Sequence, residues 1–210
     1  MSADYDIVVV GAGMAGMSAA LTAGRLGRKV ALLSSGMPGG QLLSIEHIDG
    51  VPGYADALAG YDLCPITQEQ CDAVGVELVM ESCAGIAANG DGWTVSGETG
   101  DIGARAVIVA SGAALAKLGV PGEEAFAGRG VSDCASCDGP LLRGKVAVVV
   151  GGGVSAMQEA LVVAEHAAKV VLVTDGDALH GQADYRDKVE ASDKIEKRFN
   201  STVAEIMGEN

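Results

Sequence analysis

The chain has 210 residues with a formal net charge of −14, and its 49% apolar and 20% charged residues are typical of a globular protein. The acidic balance argues against binding to nucleic acid or to an anionic membrane surface. Every apolar stretch is broken by Gly or by charge before it reaches the length of a membrane span. The N-terminus shows no basic region before its apolar run, so we expect no signal peptide and a cytoplasmic location.

Residues 5–10, YDIVVV, form a β-branched apolar run that predicts a buried strand. The turn GAGMAG follows at 11–16, and the pattern then predicts a helix over 17–26 and a strand over 29–33. This order of strand, glycine turn, helix and strand predicts one unit of a parallel α/β sheet.

The same order recurs 140 residues later (151 minus 11). A strand is predicted over 145–150, the turn GGGVSA occupies 151–156, and a helix over 157–168 precedes a strand over 169–173. The repeat predicts an α/β protein with two Rossmann-like dinucleotide-binding domains, each built on a parallel sheet.

The stretch between the two units predicts a small antiparallel β insertion, because it contains short strands separated by glycine turns. The turn NGDG at 89–92 precedes a strand at 93–95, and a turn near Gly100 leads to a strand predicted over 106–110. Val120-Pro121-Gly122 is typical of a crossing between domains. We therefore expect domains at about 1–115 and 116–210. The charged stretch at 184–198 predicts a solvated helix.

The glycine turns indicate where dinucleotides bind. Gly11, Gly13 and Gly16 fit G-x-G-x-x-G, and the second turn fits the variant that ends in Ala, with the residues Gly151, Gly153, Ser155 and Ala156. Such a turn lets the backbone approach a diphosphate, which the N–H groups of the following helix can bind. The alternative is that the glycines serve only close packing between helix and strand.

Asp175 follows the strand over 169–173, at the place where a carboxylate can bind a ribose 2′-hydroxyl and repel a 2′-phosphate. This favours NADH over NADPH, although Asp175 could also be an ordinary turn residue. The matching place after the first unit has no acidic residue and reads Ser34-Ser35-Gly36.

The five cysteines include one close pair, Cys134 and Cys137, whose Cys-x-x-Cys spacing permits a disulfide within a short loop. Redox activity is the favoured reading, because a disulfide and a nicotinamide each exchange two electrons, and a flavin usually mediates between them. A metal site would need further ligands, and a pair of structural thiols is the other alternative. The Asp138 carboxyl could move protons during thiol–disulfide exchange, or it could be a turn residue.

With these motifs, the chain resembles the low-molecular-weight thioredoxin reductases and the related flavoprotein subunit of alkyl hydroperoxide reductase. The resemblance runs through nearly the whole chain. Its segments are GAGMAG at 11–16, GMPGGQLL at 36–43, DGVPGY at 49–54, VIVASGA at 107–113, LGVPGEEAFAGRGVSDCASCDG at 118–139 and GGGVSAMQEAL at 151–161.

The resemblance implies an FAD-dependent enzyme that passes electrons from NADH or NADPH through a dithiol to thioredoxin or a similar small dithiol protein, and a homodimer. It assigns 1–115 to FAD and 116–210 to the nicotinamide nucleotide. Cys137 would face the flavin, Cys134 would attack the partner's disulfide and Asp138 would be the acid–base group. The residues implied to lie along FAD are Gly11, Gly13, Met14, Ala15, Gly16, Ser35, Gly40 and Gln41.

Four departures from the family pattern leave alternatives open. Thr174-Asp175-Gly176 replaces the basic clamp for a 2′-phosphate, Gly50 replaces an Asn that contacts FAD, and Pro140-Leu141 replaces two aromatic residues. The segment that returns to complete the FAD domain is expected to be absent from these 210 residues. The alternatives are an NADH-linked enzyme of the peroxide-reductase branch, a flavoprotein reduced by ferredoxin or another donor, and a truncated, non-catalytic nucleotide-binding protein.

Overall fold

The computed structural model describes residues 3–208, and over that range it contains nine β-strands and five α-helices. The helices are α1 Met14–Arg25, α2 Gly60–Ala73, α3 Ala135–Asp138, α4 Val154–His166 and α5 Ala183–Ala191. The strands are β1 Tyr5–Val10, β2 Val30–Leu33, β3 Glu77–Val79, β4 Gly85–Asn89, β5 Gly92–Ser96, β6 Asp101–Val109, β7 Val146–Val150, β8 Lys169–Val173 and β9 Ile195–Arg198. The predicted α/β architecture is confirmed.

Both helices after the glycine turns begin three residues earlier than the sequence pattern predicts, at Met14 and Val154. The end of each turn already forms the first helical turn, because the Met17 N–H donates to the Gly13 carbonyl at 2.9 Å and the Met157 N–H donates to the Gly153 carbonyl at 3.1 Å. The first free N–H groups of each helix therefore lie within the glycine turn itself.

The chain divides into two compact units, one ending at Ala114 and the other beginning at Leu115. In the first unit, six strands form one sheet in the order β3-β2-β1-β6-β5-β4. β6 pairs in parallel with β1 and antiparallel with β5, so the predicted antiparallel insertion continues the parallel sheet through one long strand. The β4–β5 hairpin turns at Asn89 and Gly92, as predicted.

The second unit contains a three-stranded parallel sheet in the order β7-β8-β9. The prediction of one helix over 184–198 is wrong at its end, because α5 stops at Ala191 and residues 195–198 form β9. Ile195 is buried and pairs with Val170, while Glu196, on the other face of the strand, meets Lys169 and Arg198. Backbone pairing with β8 thus overrides the helical composition of this stretch.

Equivalent positions in the two units carry equivalent core residues. Met17 and Met157 are fully buried, and so are Ala20 and Ala160, which lie one turn further along α1 and α4. Each of these helices therefore covers one face of its sheet with the same small and flexible side chains, which lets helix and strands approach closely.

α2 is a helix that the sequence analysis did not identify. Its buried face includes Cys64 and Cys71, and it packs against α1. Pro65 lies inside α2, and proline is an unfavourable residue at such a position, which weakened the helical signal of this segment.

The Val120-Pro121-Gly122 turn lies inside the second unit, where the Ile206 N–H donates to the Pro121 carbonyl at 2.8 Å. Over residues 3–208, no helix has both the length and the apolar character needed to cross a membrane. In the same range, no group of three or more His, Cys, Asp or Glu side chains is placed to hold a metal ion.

Candidate functional site

The first glycine turn brings β1, α1 and the end of β6 into backbone contact. Gly11 has φ +103°, and a Cβ at this residue would lie 2.8 Å from the Ala110 carbonyl carbon. A Cβ on Gly16 would overlap the Gly11 carbonyl oxygen. These two glycines are therefore required by the fold, as the packing alternative in the sequence analysis states.

Gly13 differs from its neighbours because packing does not require it. It is the N-cap residue of α1 with φ −73°, and no described atom lies within 4 Å of the position that its Cβ would take. An open cradle at a helix N-terminus is the geometry that admits a diphosphate. The structure thus separates the packing glycines of this turn from the one that leaves room for a ligand.

Other residues predicted for FAD lie at the same edge of the sheet. The Gly39 N–H donates to the Ala12 carbonyl at 2.7 Å, and a Cβ on Gly40 would lie 3.3 Å from the Gly13 Cα. Ser35 is exposed just after β2. The Gln41 side-chain amide donates to the Ala113 carbonyl at 2.6 Å, which ties this loop to the segment after β6.

α2 supports this edge in a way that sequence reasoning missed. A Cβ on Gly39 would lie 2.8 Å from the Cys64 sulfur, so α2 packs closely against the Gly39–Gly40 segment beside the turn. The Thr67 hydroxyl donates to the Met14 sulfur at 3.7 Å. Met14 thus faces α2 with its side chain, while Ala15 is exposed. Burial raises the pKa of the Cys64 thiol, which favours an inert packing role.

The second glycine turn has the same design. Gly151 has φ +135° and donates its N–H to the Val173 carbonyl at 2.8 Å, as Gly11 donates to Leu33 at 3.0 Å. Gly153 is the N-cap residue of α4, and again no described atom lies within 4 Å of its Cβ position. Ser155 is exposed in the first turn of α4, whereas Ala156 packs toward Gly151.

The segment after β8 folds back onto this turn. A Cβ on Gly152 would lie 2.5 Å from the buried Thr174 hydroxyl oxygen, and the His180 N–H donates to the Gly152 carbonyl at 2.8 Å. Asp175, the next residue after Thr174, is exposed. The structure therefore brings Asp175 to the same edge of the sheet as the second glycine turn. Thr174 and His180 carried no sequence signal, because their roles depend on this loop.

Cys134 and Cys137 form a disulfide at the start of α3, with a Cα–Cα distance of 5.3 Å. Cys134 is the half-buried N-cap residue, Cys137 is exposed and Asp138 is half-buried. The Cys137 N–H points at the Cys134 sulfur at 3.2 Å, and the Asp138 N–H donates to the Cys134 carbonyl at 3.1 Å. The pair therefore lies where a short helix begins.

α4 packs against the disulfide segment. The Ala135 N–H donates to the Glu159 carboxylate at 2.6 Å, and a Cβ on Gly139 would lie 2.9 Å from the His166 ring. On the other side, a cleft of about 480 Å³ reaches Cys134 and Asp138 between Lys117, Glu123 and Asp133. Cys134 therefore borders an open cleft, and α4 contacts the same segment through Glu159 and His166.

The family model described as "Pyridine nucleotide-disulphide oxidoreductase" matches residues 5–210. The chain is 36% identical to a thioredoxin reductase of Treponema pallidum, over 209 residues that cover 100% of this chain and 68% of that protein. It is also 36% identical to a thioredoxin reductase of Bacillus subtilis, over 98% of this chain and 65% of the relative. The chain thus spans about two thirds of the length of these curated relatives.

Solved structures give the same result. The chain matches the thioredoxin reductase of Lactococcus lactis with a TM-score of 0.91 and 35% identity, covering 98% of this chain and 68% of that one. The match to the thioredoxin reductase of T. acidophilum has a TM-score of 0.86 and 28% identity, covering 99% and 68%. The protein therefore belongs to the pyridine nucleotide-disulphide oxidoreductase family, and its relatives within that family are thioredoxin reductases.

Proposed function

We propose that this chain is an FAD-dependent disulfide oxidoreductase that takes electrons from a nicotinamide nucleotide and passes them through Cys134 and Cys137 to a protein disulfide. The observation that carries the proposal is the disulfide at the start of α3, within reach of an open cleft, in a chain with two open glycine cradles. We assign the cradle in residues 1–115 to FAD and the one in 116–210 to the nicotinamide nucleotide.

The residues of the first turn fit a dinucleotide. The open space at Gly13 and the N-terminus of α1 would hold the diphosphate through backbone N–H groups of Met14, Ala15 and Gly16. Ser35, after β2, would bind the ribose through its hydroxyl. A bound flavin supplies two-electron chemistry that links hydride transfer to thiol chemistry.

The dithiol carries the second half of the reaction. Reduction of the disulfide takes up two electrons and two protons and yields the two thiols of Cys134 and Cys137. We assign the exposed Cys137 to the flavin side. The Cys134 thiolate then attacks a partner disulfide, and Cys137 resolves the mixed disulfide, which returns the pair to its oxidised form. The Asp138 carboxyl, next to Cys137 in α3, would transfer the proton to the departing thiolate.

Asp175 supports NADH as the electron donor. It is exposed beside the second turn, where a carboxylate binds a ribose 2′-hydroxyl and repels a 2′-phosphate. Thioredoxin reductases use FAD with NADPH, so preference for NADH would be a specialisation of this chain relative to them. Gly151, Gly153, Ser155 and Ala156 would hold the diphosphate of the nucleotide through the N-terminus of α4.

The partner that we propose is thioredoxin or a similar small dithiol protein, because the relatives are named thioredoxin reductases. We also propose a homodimer and a reducing, cytoplasmic environment. The three further cysteines are free thiols, which agrees with such an environment.

The test is anaerobic addition of NADH to the FAD-loaded protein. We expect the visible flavin absorption to bleach and two thiols per chain to appear, and thioredoxin disulfide to be reduced. Cys137→Ser should keep the bleaching and lose disulfide reduction. Cys83→Ser is the matched control, because Cys83 is a free cysteine of the other unit, and it should keep both steps. Full reductase activity in Cys137→Ser would refute the proposal.

A further inference from the structure

α4 contacts the disulfide segment through a side chain that no motif identified. Glu159 lies in the second turn of α4, and its carboxylate accepts a hydrogen bond from the Ala135 N–H at 2.6 Å. Ala135 is buried and directly follows Cys134. The Glu159 carboxylate therefore binds the backbone amide that links Cys134 to Ala135.

Two N–H groups at the start of α3 are close to Cys134, and they have different partners. The Cys137 N–H points at the Cys134 sulfur at 3.2 Å and would stabilise a thiolate there after reduction. The Ala135 N–H is bound by Glu159 instead. Glu159 thus adds a negative charge beside the residue that directly follows Cys134.

We propose that Glu159 is a positioning residue that sets the equilibrium between the disulfide and the dithiol of Cys134 and Cys137. The biological meaning of this role rests on the proposed function. Glu159 holds the first turn of α3 on α4 through its hydrogen bond. Its charge disfavours the Cys134 thiolate, and this favours the disulfide over the dithiol.

Other charged groups face the same pair. Asp133 and Asp138 lie on the segment itself, Lys117 lies across the cleft, and His166 of α4 lies against Gly139. Among them, Glu159 is the group that also binds the backbone next to Cys134. Its removal should therefore change the thiol equilibrium more than removal of another charge on α4.

The first experiment equilibrates the protein with glutathione: one protein disulfide and two glutathione thiols exchange with one protein dithiol and one glutathione disulfide. Glu159→Gln keeps an oxygen acceptor for the Ala135 N–H and removes the charge. We expect its equilibrium constant to shift about 3- to 10-fold toward the dithiol, which corresponds to the loss of one carboxylate charge near the pair through a partly aqueous surrounding.

The second experiment follows alkylation of Cys134 against pH in a Cys137→Ser background. Adding Glu159→Gln should move the profile to lower pH by about half a unit to one unit. Glu165→Gln is the matched control, because Glu165 is exposed on the same helix, and it should move neither measurement. Glu159→Ala, which also frees the Ala135 N–H, should shift both measurements at least as far.

Unchanged equilibria and pH profiles in a folded Glu159→Gln protein would overturn the inference, and so would equal shifts in Glu165→Gln. Urea unfolding of each variant shows whether the fold is retained. Neither measurement needs FAD or NADH, so a protein in which NADH fails to bleach flavin can still show the Glu159 effect. Normal reductase activity without that effect would reject only the role of Glu159.

Discussion

Replacement of Gly13 by Ala tests whether the glycines of the first turn have separate roles. The added Cβ would meet no described atom within 4 Å, and the φ of −73° suits any residue. We therefore expect Gly13→Ala to leave the free energy of unfolding within about 1 kcal/mol, since the lower entropy of the unfolded chain offsets the poorer N-cap. The same methyl group would enter the space proposed for the FAD diphosphate.

The expected loss is one backbone hydrogen bond to a charged phosphate, about 1.5–3 kcal/mol, which weakens FAD binding roughly 10- to 100-fold. Gly16→Ala should instead lower the stability of the fold. Its Cβ would overlap the Gly11 carbonyl oxygen, which is backbone and cannot rotate away. Overpacking of this kind costs about 1–3 kcal/mol or more in stability, so the urea midpoint should fall by roughly 1 M.

The assay is titration of the apoprotein with FAD, followed by flavin fluorescence, together with urea unfolding of the same samples without FAD. The unmodified chain supplies the reference affinity. The reasoning fails if Gly13→Ala binds FAD within about twofold of the reference, or if it loses as much stability as Gly16→Ala. The first result would mean that the open space at Gly13 is not where the diphosphate lies, and the second would mean that packing requires Gly13 as it requires Gly16.

Three further predictions concern the rest of the molecule. Asp175→Arg should shift the preference from NADH toward NADPH, because a cation replaces a carboxylate beside the ribose. The ratio of kcat/KM for the two nucleotides measures this preference. A strong NADPH preference in the unmodified protein would contradict the role of Asp175. Hydrogen bonds from Lys169 and then Arg198 lower the pKa of Glu196 to about 2, so Glu196 stabilises the fold above its ordinary pKa of 4.5, and this contribution disappears as the pH falls toward 2. The urea midpoints of Glu196→Gln and the unmodified protein should accordingly differ at pH 7 and approach each other as the pH falls from about 4.5 toward 2. A difference that stays constant with pH would exclude this ion pair as the cause. In the oxidised protein, alkylation should reach the partly exposed Cys83 before Cys64 and Cys71, because burial shields these two thiols and raises their pKa values. Peptide mapping over time checks the order of labelling. Early labelling of Cys64 would show that α2 opens readily.

The strands and the helices after the glycine turns could be predicted because local pattern and tertiary fold agree there. β8 has the predicted limits, and β1 coincides with the apolar run at 5–10. β9 was missed because Ile195 is followed only by the charged residues of the strand, and only pairing with β8 makes this segment extended. α2 was missed because Pro65 interrupts its pattern, although Cys64 and Cys71 supply a buried face.

The candidate site residues could be predicted where the backbone geometry allows only a few residue types. The glycine turns and Cys134-x-x-Cys137 follow from geometry that few other residues allow. Glu159 could not be predicted in this way, because a Glu on the second turn of an amphipathic helix usually faces solvent. Its role depends on α3 packing against α4, a contact between segments 24 residues apart in the sequence.

The two turns also show why the choice of dinucleotide cannot be deduced from the glycine motif. Their hydrogen bonds correspond, with Gly11 bound to Leu33 and Gly151 bound to Val173. The difference lies after the second strand of each unit, where Ser35 stands in one and Asp175 in the other. In the proposed assignment the diphosphate is bound by backbone that any such turn supplies, so NADH and NADPH would be distinguished at the ribose. Substitution at Asp175 should therefore change which nucleotide binds, whereas substitution at Gly153 should weaken NADH and NADPH alike.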